Sequence, residues 1–213
     1  MQSATDYLLR TESAVRMLFS GVDSYISVLR KATGVTFVTD EPYGPKQDAQ
    51  FAAWQLENAE RLAAARAAER EFLAESFALD TLCGSILQVA DKALELYGSK
   101  NNTIPSGLPA TLKPHHAKFC VGRSIRTVPL GLVIYAARNQ HTHFNDNALR
   151  EPSASIFHLL ATAHGYGVGQ EILDPAFDLN NPSLVSFASN VTSLIGWRSY
   201  EQYSADLRSM LGA

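Results

Sequence analysis

Apolar and polar positions alternate along this chain with a helical period almost throughout. Leu8, Val15, Leu18, Val22, Tyr25 and Leu29 fall at steps of three, four or seven, so they share one face of an amphipathic helix over the first thirty residues. Gly34 is placed to end it. A β-branched run, Val35 to Thr39, follows and breaks at Asp40-Glu-Pro-Tyr-Gly-Pro45. With no partner strand in sight, it reads as an extended connector or a minor strand.

From about Asp48 to Tyr97 the chain is rich in Ala, Leu, Glu and Arg and has no proline. Phe72, Leu79, Leu82, Ile86, Val89, Ala93 and Leu96 form a seam that predicts one long bundle helix, with a kink at Gly84 and a cap at Gly98. Ser99 to Pro114 holds two asparagines, three prolines and a glycine, and reads as a loop. The most apolar helix is expected from Thr127, as its cap, to Phe144, with Pro129 in its first turn. A helix over Pro152–His164, a Gly/Asn/Pro-rich connector and helices near 183–195 and 200–211 finish the chain. The expected fold is all-α, an antiparallel up-and-down bundle in a single domain over 1–213. Its core would lie in about 4–165, with additional C-terminal helices over 166–213.

Composition narrows the function. The chain has 213 residues, 46% of them hydrophobic and 18% charged, which suits a folded globular domain rather than a disordered one. No stretch approaches the roughly 18 apolar residues of a membrane span, and Met1–Arg10 lacks a signal-peptide core. Cys83 and Cys120 are too few for a disulfide framework and read as reduced thiols. A cytoplasmic protein with no membrane partner is expected. No phosphate loop, GxSxG or Cys-His pair is present.

Polar chemistry gathers where the most apolar helix ends, at Tyr135-Ala-Ala-Arg138-Asn139-Gln140-His141-Thr142-His143-Phe144. An arginine, an asparagine and two histidines leaving a buried helix need partners or a cleft. On a regular helix Arg138 and His143 stand about 140° apart and Asn139 and His143 about 40°. Arg138 and His143 therefore meet at one ligand only if the helix unwinds, the Arg reaches round or a second subunit contributes. His115, His116, His141 and His143 are numerous enough for a metal site. However, histidines two apart on a helix point to different sides, and no carboxylate is close in sequence. No metal and no cofactor are expected.

The pattern Arg138-Asn139-x-x-x-His143 resembles the signature of the HEPN superfamily of helical ribonuclease and nucleotide-binding domains. The resemblance is firm over about residues 120–165, looser for the long helices before them, and absent for 35–48 and the C-terminal helices. It implies a metal-independent endoribonuclease working as a homodimer with both motifs at one cleft, in a toxin or defence setting with an antitoxin or regulatory protein as partner. Arg138 would bind the scissile phosphate and stabilise the phosphorane. His143 would act as base on the ribose 2′-OH or acid on the leaving 5′-oxygen, and Asn139 would orient one of them. The alternative is a non-catalytic HEPN-like module that binds RNA, nucleotide or a protein.

Charge is the last change to the picture. The whole chain carries −3, against a general nucleic-acid coat, yet no acidic residue lies between Glu95 and Asp146. That stretch holds Lys100, Lys113, Lys118, Arg123, Arg126 and Arg138 together with four of the six histidines. Lys118, Arg123, Arg126 and His141 are therefore the expected substrate-binding residues beside the motif.

Overall fold

The computed structural model describes residues 3–31, 35–99, 103–146, 148–163, 165 and 172–213, and side chains at 29–31 are not described. Gly34, Lys100, Asn147, His164 and most of the 165–171 glycine segment thus lie outside the described residues.

The chain folds as an all-α protein. The order is α1 (Ala4–Lys31), α2 (Pro45–Glu57), α3 (Ala59–Ala74), α4 (Ser76–Tyr97), a 3-10 turn (Pro114–Phe119), β1 (Ser124–Ile125), β2 (Val128–Pro129), α5 (Leu130–Thr142), α6 (Ser153–Thr162), α7 (Ala188–Leu194) and α8 (Tyr200–Leu211). The apolar stripe of α1 turns inward as its period requires, burying Leu8, Val15, Phe19 and Val22. It packs antiparallel to α4: the Tyr7 hydroxyl donates to the Val89 carbonyl at 2.9 Å, while Gly21 at the other end lies against Leu82.

The expected helix over 48–97 is three helices. It breaks at Asn58 and Glu75, where the backbone leaves helical angles for one residue, and α3 and α4 meet at a 52° bend. The cause is burial. α2 and α3 bury no residue, whereas α4 buries nine, among them Leu79, Ile86, Leu87 and Leu94. The one seam residue in α3, Phe72, is only partly buried, so little core holds α2 and α3 in line with α4. Gly84 does not kink α4; it packs against α5.

The central helix also begins later than expected. Ile125 pairs with Val128 and Ser124 with Pro129 in a two-residue hairpin, so Thr127 lies in the turn and caps nothing. The carbonyls of Arg123 and Val121 instead accept the N–H groups of Leu130 and Gly131, at 2.9 and 3.0 Å. A Cβ at Gly131 would stand 2.4 Å from the Phe119 carbonyl oxygen, so only glycine permits this close entry. Leu130, Leu132, Val133, Ile134, Ala136 and Ala137 are buried, which makes α5 the centre of the fold. The C-terminal helices share that core through Val191, Ile195, Tyr203 and Leu207. No single helix among the described residues is long and apolar enough to cross a membrane.

Candidate functional site

The polar end of α5 lies against α4, and the two helices run antiparallel. Their contact forms two polar rungs, Arg138 over Gln88 and Asp91, and His141 over Gly84 and Asp80.

In the first rung Arg138 is held on three sides. Its Nε donates to Gln88 Oε1 at 3.0 Å and lies 3.4 Å from Asp91 Oδ2, and its Nη1 donates to Asn139 Oδ1 at 2.9 Å. Asn139 in turn donates from Nδ2 to the Ser153 hydroxyl at the start of α6, at 3.1 Å. No described residue accepts from Nη2, so one face of the guanidinium stays available. Asp91 is buried, and its Oδ1 has no hydrogen-bond partner. Burial pushes its carboxyl up to about 6, and the nearby Arg138 only partly offsets this. Nothing in the sequence marks Asp91 as part of the site. The available signal was a carboxylate on the apolar side of α4, one residue after Ala90 and two before Ala93.

His143 does not continue the helix. It is the residue after the last turn, with φ −115° and ψ 26°, and its N–H still bonds to the Asn139 carbonyl at 3.0 Å. Its exposed ring pairs through Nδ1 with Asp146 Oδ2 at 3.1 Å. No described residue bonds to Nε2, which is the nitrogen left for solvent or a ligand. Arg138 and His143 share no hydrogen bond within the chain. The helix end that separates them is tied by Thr142, whose hydroxyl donates to the Arg138 carbonyl at 2.9 Å.

In the second rung His141 turns inward. Its Nδ1 meets the Ser186 hydroxyl at 3.0 Å, and burial lowers its pKa although Asp80 is near. The ring fills the space above Gly84, where a Cβ would come within 2.2 Å of it. Beside it, Gln140 clasps the 185–187 backbone, donating to the Val185 carbonyl and accepting the Phe187 N–H at 3.1 and 3.0 Å.

The remaining basic residues are distributed elsewhere. Arg123 pairs with Asp206 at 3.0 Å and bonds to the Ile195 carbonyl. Arg126 pairs with Asp174 at 2.5 Å, bonds to the Leu160 carbonyl and lies over the Phe177 ring. Lys118 donates to the Glu95 carbonyl at 3.3 Å. None of the three bonds to the motif residues, and each arginine of the acid-free stretch finds its carboxylate outside that stretch. His115 and His116 lie ring to ring, with the His116 Nε2 3.3 Å from the Tyr135 hydroxyl. Among the described residues no three His, Cys, Asp or Glu side chains are grouped to hold a metal ion.

Comparison with known proteins gives no match: no protein-family description, no curated protein and no solved structure matches the chain.

Proposed function

We propose that the chain is a metal-independent endoribonuclease of the HEPN type, acting as a homodimer on cytoplasmic RNA. The observation that carries this reading is the pair of open groups at one helix end. Arg138 has a free Nη2, and His143 has a free Nε2 with its other nitrogen held by Asp146.

Each group has a role it is chemically suited to. Arg138 donates from Nη2 to a phosphate oxygen, stabilising the added charge of the phosphorane. Asp146 fixes the His143 ring so that Nε2 is the nitrogen that exchanges a proton. The ribose 2′-oxygen attacks phosphorus, the bond to the 5′-oxygen breaks, and the products carry a 2′,3′-cyclic phosphate and a 5′-hydroxyl. Arg138 and His143 share no hydrogen bond within one chain, and in this reading a partner subunit completes the site. An antitoxin or regulatory protein would block the enzyme by covering Arg138 and His143.

A second reading is a non-catalytic module that binds RNA, nucleotide or a protein. It is favoured by the closure of Arg123, Arg126 and Arg138 in ion pairs within the fold. One assay separates the two: RNA incubated in EDTA with the wild type, Arg138→Ala and His143→Ala. The nuclease reading expects cyclic-phosphate ends from the wild type and a drop of about 100-fold or more in each variant. RNA that survives equally in all three favours the binding module.

A further inference from the structure

The bend between α3 and α4 opens a second space in the molecule, away from Arg138 and His143. It is a cavity of about 630 Å³ between the C-terminal half of α1, the bend itself and the segment from Ser183 to Arg198. Val22, Ile26, Phe72, Phe77, Leu79 and Trp197 supply apolar and aromatic walls. A volume of this size, mainly apolar with a few placed polar groups, is typical of a site for a small organic molecule.

One charged side chain reaches its interior. Asp80 is half-buried and accepts the Ser189 N–H at 2.9 Å through Oδ1. No lysine or arginine pairs with it among the described residues. Burial raises the Asp80 carboxyl above the usual carboxylate range, offset in part by the Ser189 hydrogen bonds and by His141, itself driven toward its neutral form by burial. The Cys83 thiol, also in the wall, is pushed up to about 11 and carries no charge at neutral pH. The other two charged lining residues, Asp23 and Arg198, are exposed. The chamber thus holds a carboxylate with which no lysine or arginine of the described residues is paired, and each carboxylate oxygen accepts more than one hydrogen bond. Burial without a cation is unfavourable for such a group, and aromatic walls stabilise a cation further.

We propose that this cavity binds a small arylalkyl amine, its ring lying among the aromatic walls and its ammonium group meeting the Asp80 carboxylate. Charge complementarity selects this occupant. An anion of the same shape meets Asp80 as a like charge, and a neutral one leaves the carboxylate uncompensated. The site stands whether or not the protein cleaves RNA.

The chain has two tryptophans, so Trp54→Phe makes Trp197 in the cavity wall the sole emitter. This variant is titrated at pH 7.5 with 2-phenylethylamine, 2-phenylethanol and phenylacetate. The expected result is a saturable change in Trp197 emission with the amine, at an affinity about tenfold or more above that of the alcohol, and no saturation with the acid. Asp80→Asn keeps an oxygen for the Ser189 N–H and should level the amine with the alcohol. Ser193→Phe narrows the mouth from its exposed side and should weaken the amine without moving the melting temperature. Absence of a saturable response, equal affinity for amine and acid, or amine binding unchanged in both variants would overturn the proposal.

Discussion

The two rungs between α4 and α5 are made of similar residues and are finished differently. At His141 the fold removes the opposing side chain altogether, since Gly84 leaves room for the ring, and Ser186 and the Gln140 clasp complete the hydrogen bonds. At Arg138 the fold keeps a buried carboxylate, leaves one of its oxygens without a partner and leaves Nη2 of the arginine open. Polar groups next to a core are usually satisfied, because an unmade buried bond costs about 1–3 kcal/mol. The His141 rung obeys that rule and fastens the 185–187 segment. The Arg138 rung violates it at the residues proposed for chemistry, where such a cost is tolerable only if something else uses the groups.

Gly84→Ala is the most severe way to break the comparison. Its Cβ would lie 2.2 Å from the His141 ring, with helix backbone on one side and the Ser186 contact on the other. A loss of about 3 kcal/mol in urea unfolding is expected, at the upper end for overpacking. His141→Ala in the same chain should recover most of it. A neutral Gly84→Ala would mean that the His141 ring moves aside without cost and does not fasten α4 to α5.

Asp91→Asn tests the other rung in the opposite direction. In the fold the Asp91 carboxyl titrates at about 6, against 3.8 for an ordinary aspartate. The native state therefore binds this proton more tightly than the unfolded chain. The carboxyl's contribution to stability is complete below about pH 4 and is lost as pH rises through 6. At pH 7.5 the buried charge is a burden of roughly 2–3 kcal/mol, so Asp91→Asn should stabilise the protein by about 2 kcal/mol there. The advantage should vanish near pH 4. A variant less stable than wild type at pH 7.5 would show that the Arg138 ion pair outweighs desolvation.

The contrast also explains what the sequence could disclose. Helix periodicity is local, so α8 is found at Tyr200–Leu211 as expected, and α6 at Ser153–Thr162 lies within the expected span. The antiparallel hairpin at 124–129 was missed, because four paired residues are too few for a pattern. The break at Glu75 was missed because the seam runs on from Phe72 in α3 into α4, while α3 itself buries no residue fully. For the site, Arg138, Asn139 and His143 stand out through their setting at the end of an apolar helix. Asp91 does not, since its importance lies in a partner 47 residues away. The acid-free stretch suggested substrate-binding cations beside the motif, yet Asp174 and Asp206 return to it from later in the chain. Linear charge counts cannot anticipate such pairing.

The smallest predicted effect tests whether the Arg138 rung is a network or a row of separate bonds. Asn139 links it to α6 by donating to the buried Ser153 hydroxyl while its own oxygen accepts from Arg138. Ser153→Ala removes one neutral hydrogen bond and little volume, so about 1 kcal/mol should be lost in urea unfolding. Asn139→Ala should lose a similar amount plus the support of Nη1. If the groups act together, the double variant falls short of the sum by about 0.5–1 kcal/mol, since the second change removes a bond already broken. Strict additivity would mean that Asn139 serves Arg138 and Ser153 independently. Ser153→Ala would then leave cleavage unchanged, whereas a network carries the loss to the guanidinium and lowers the cleavage rate severalfold with no change in RNA affinity.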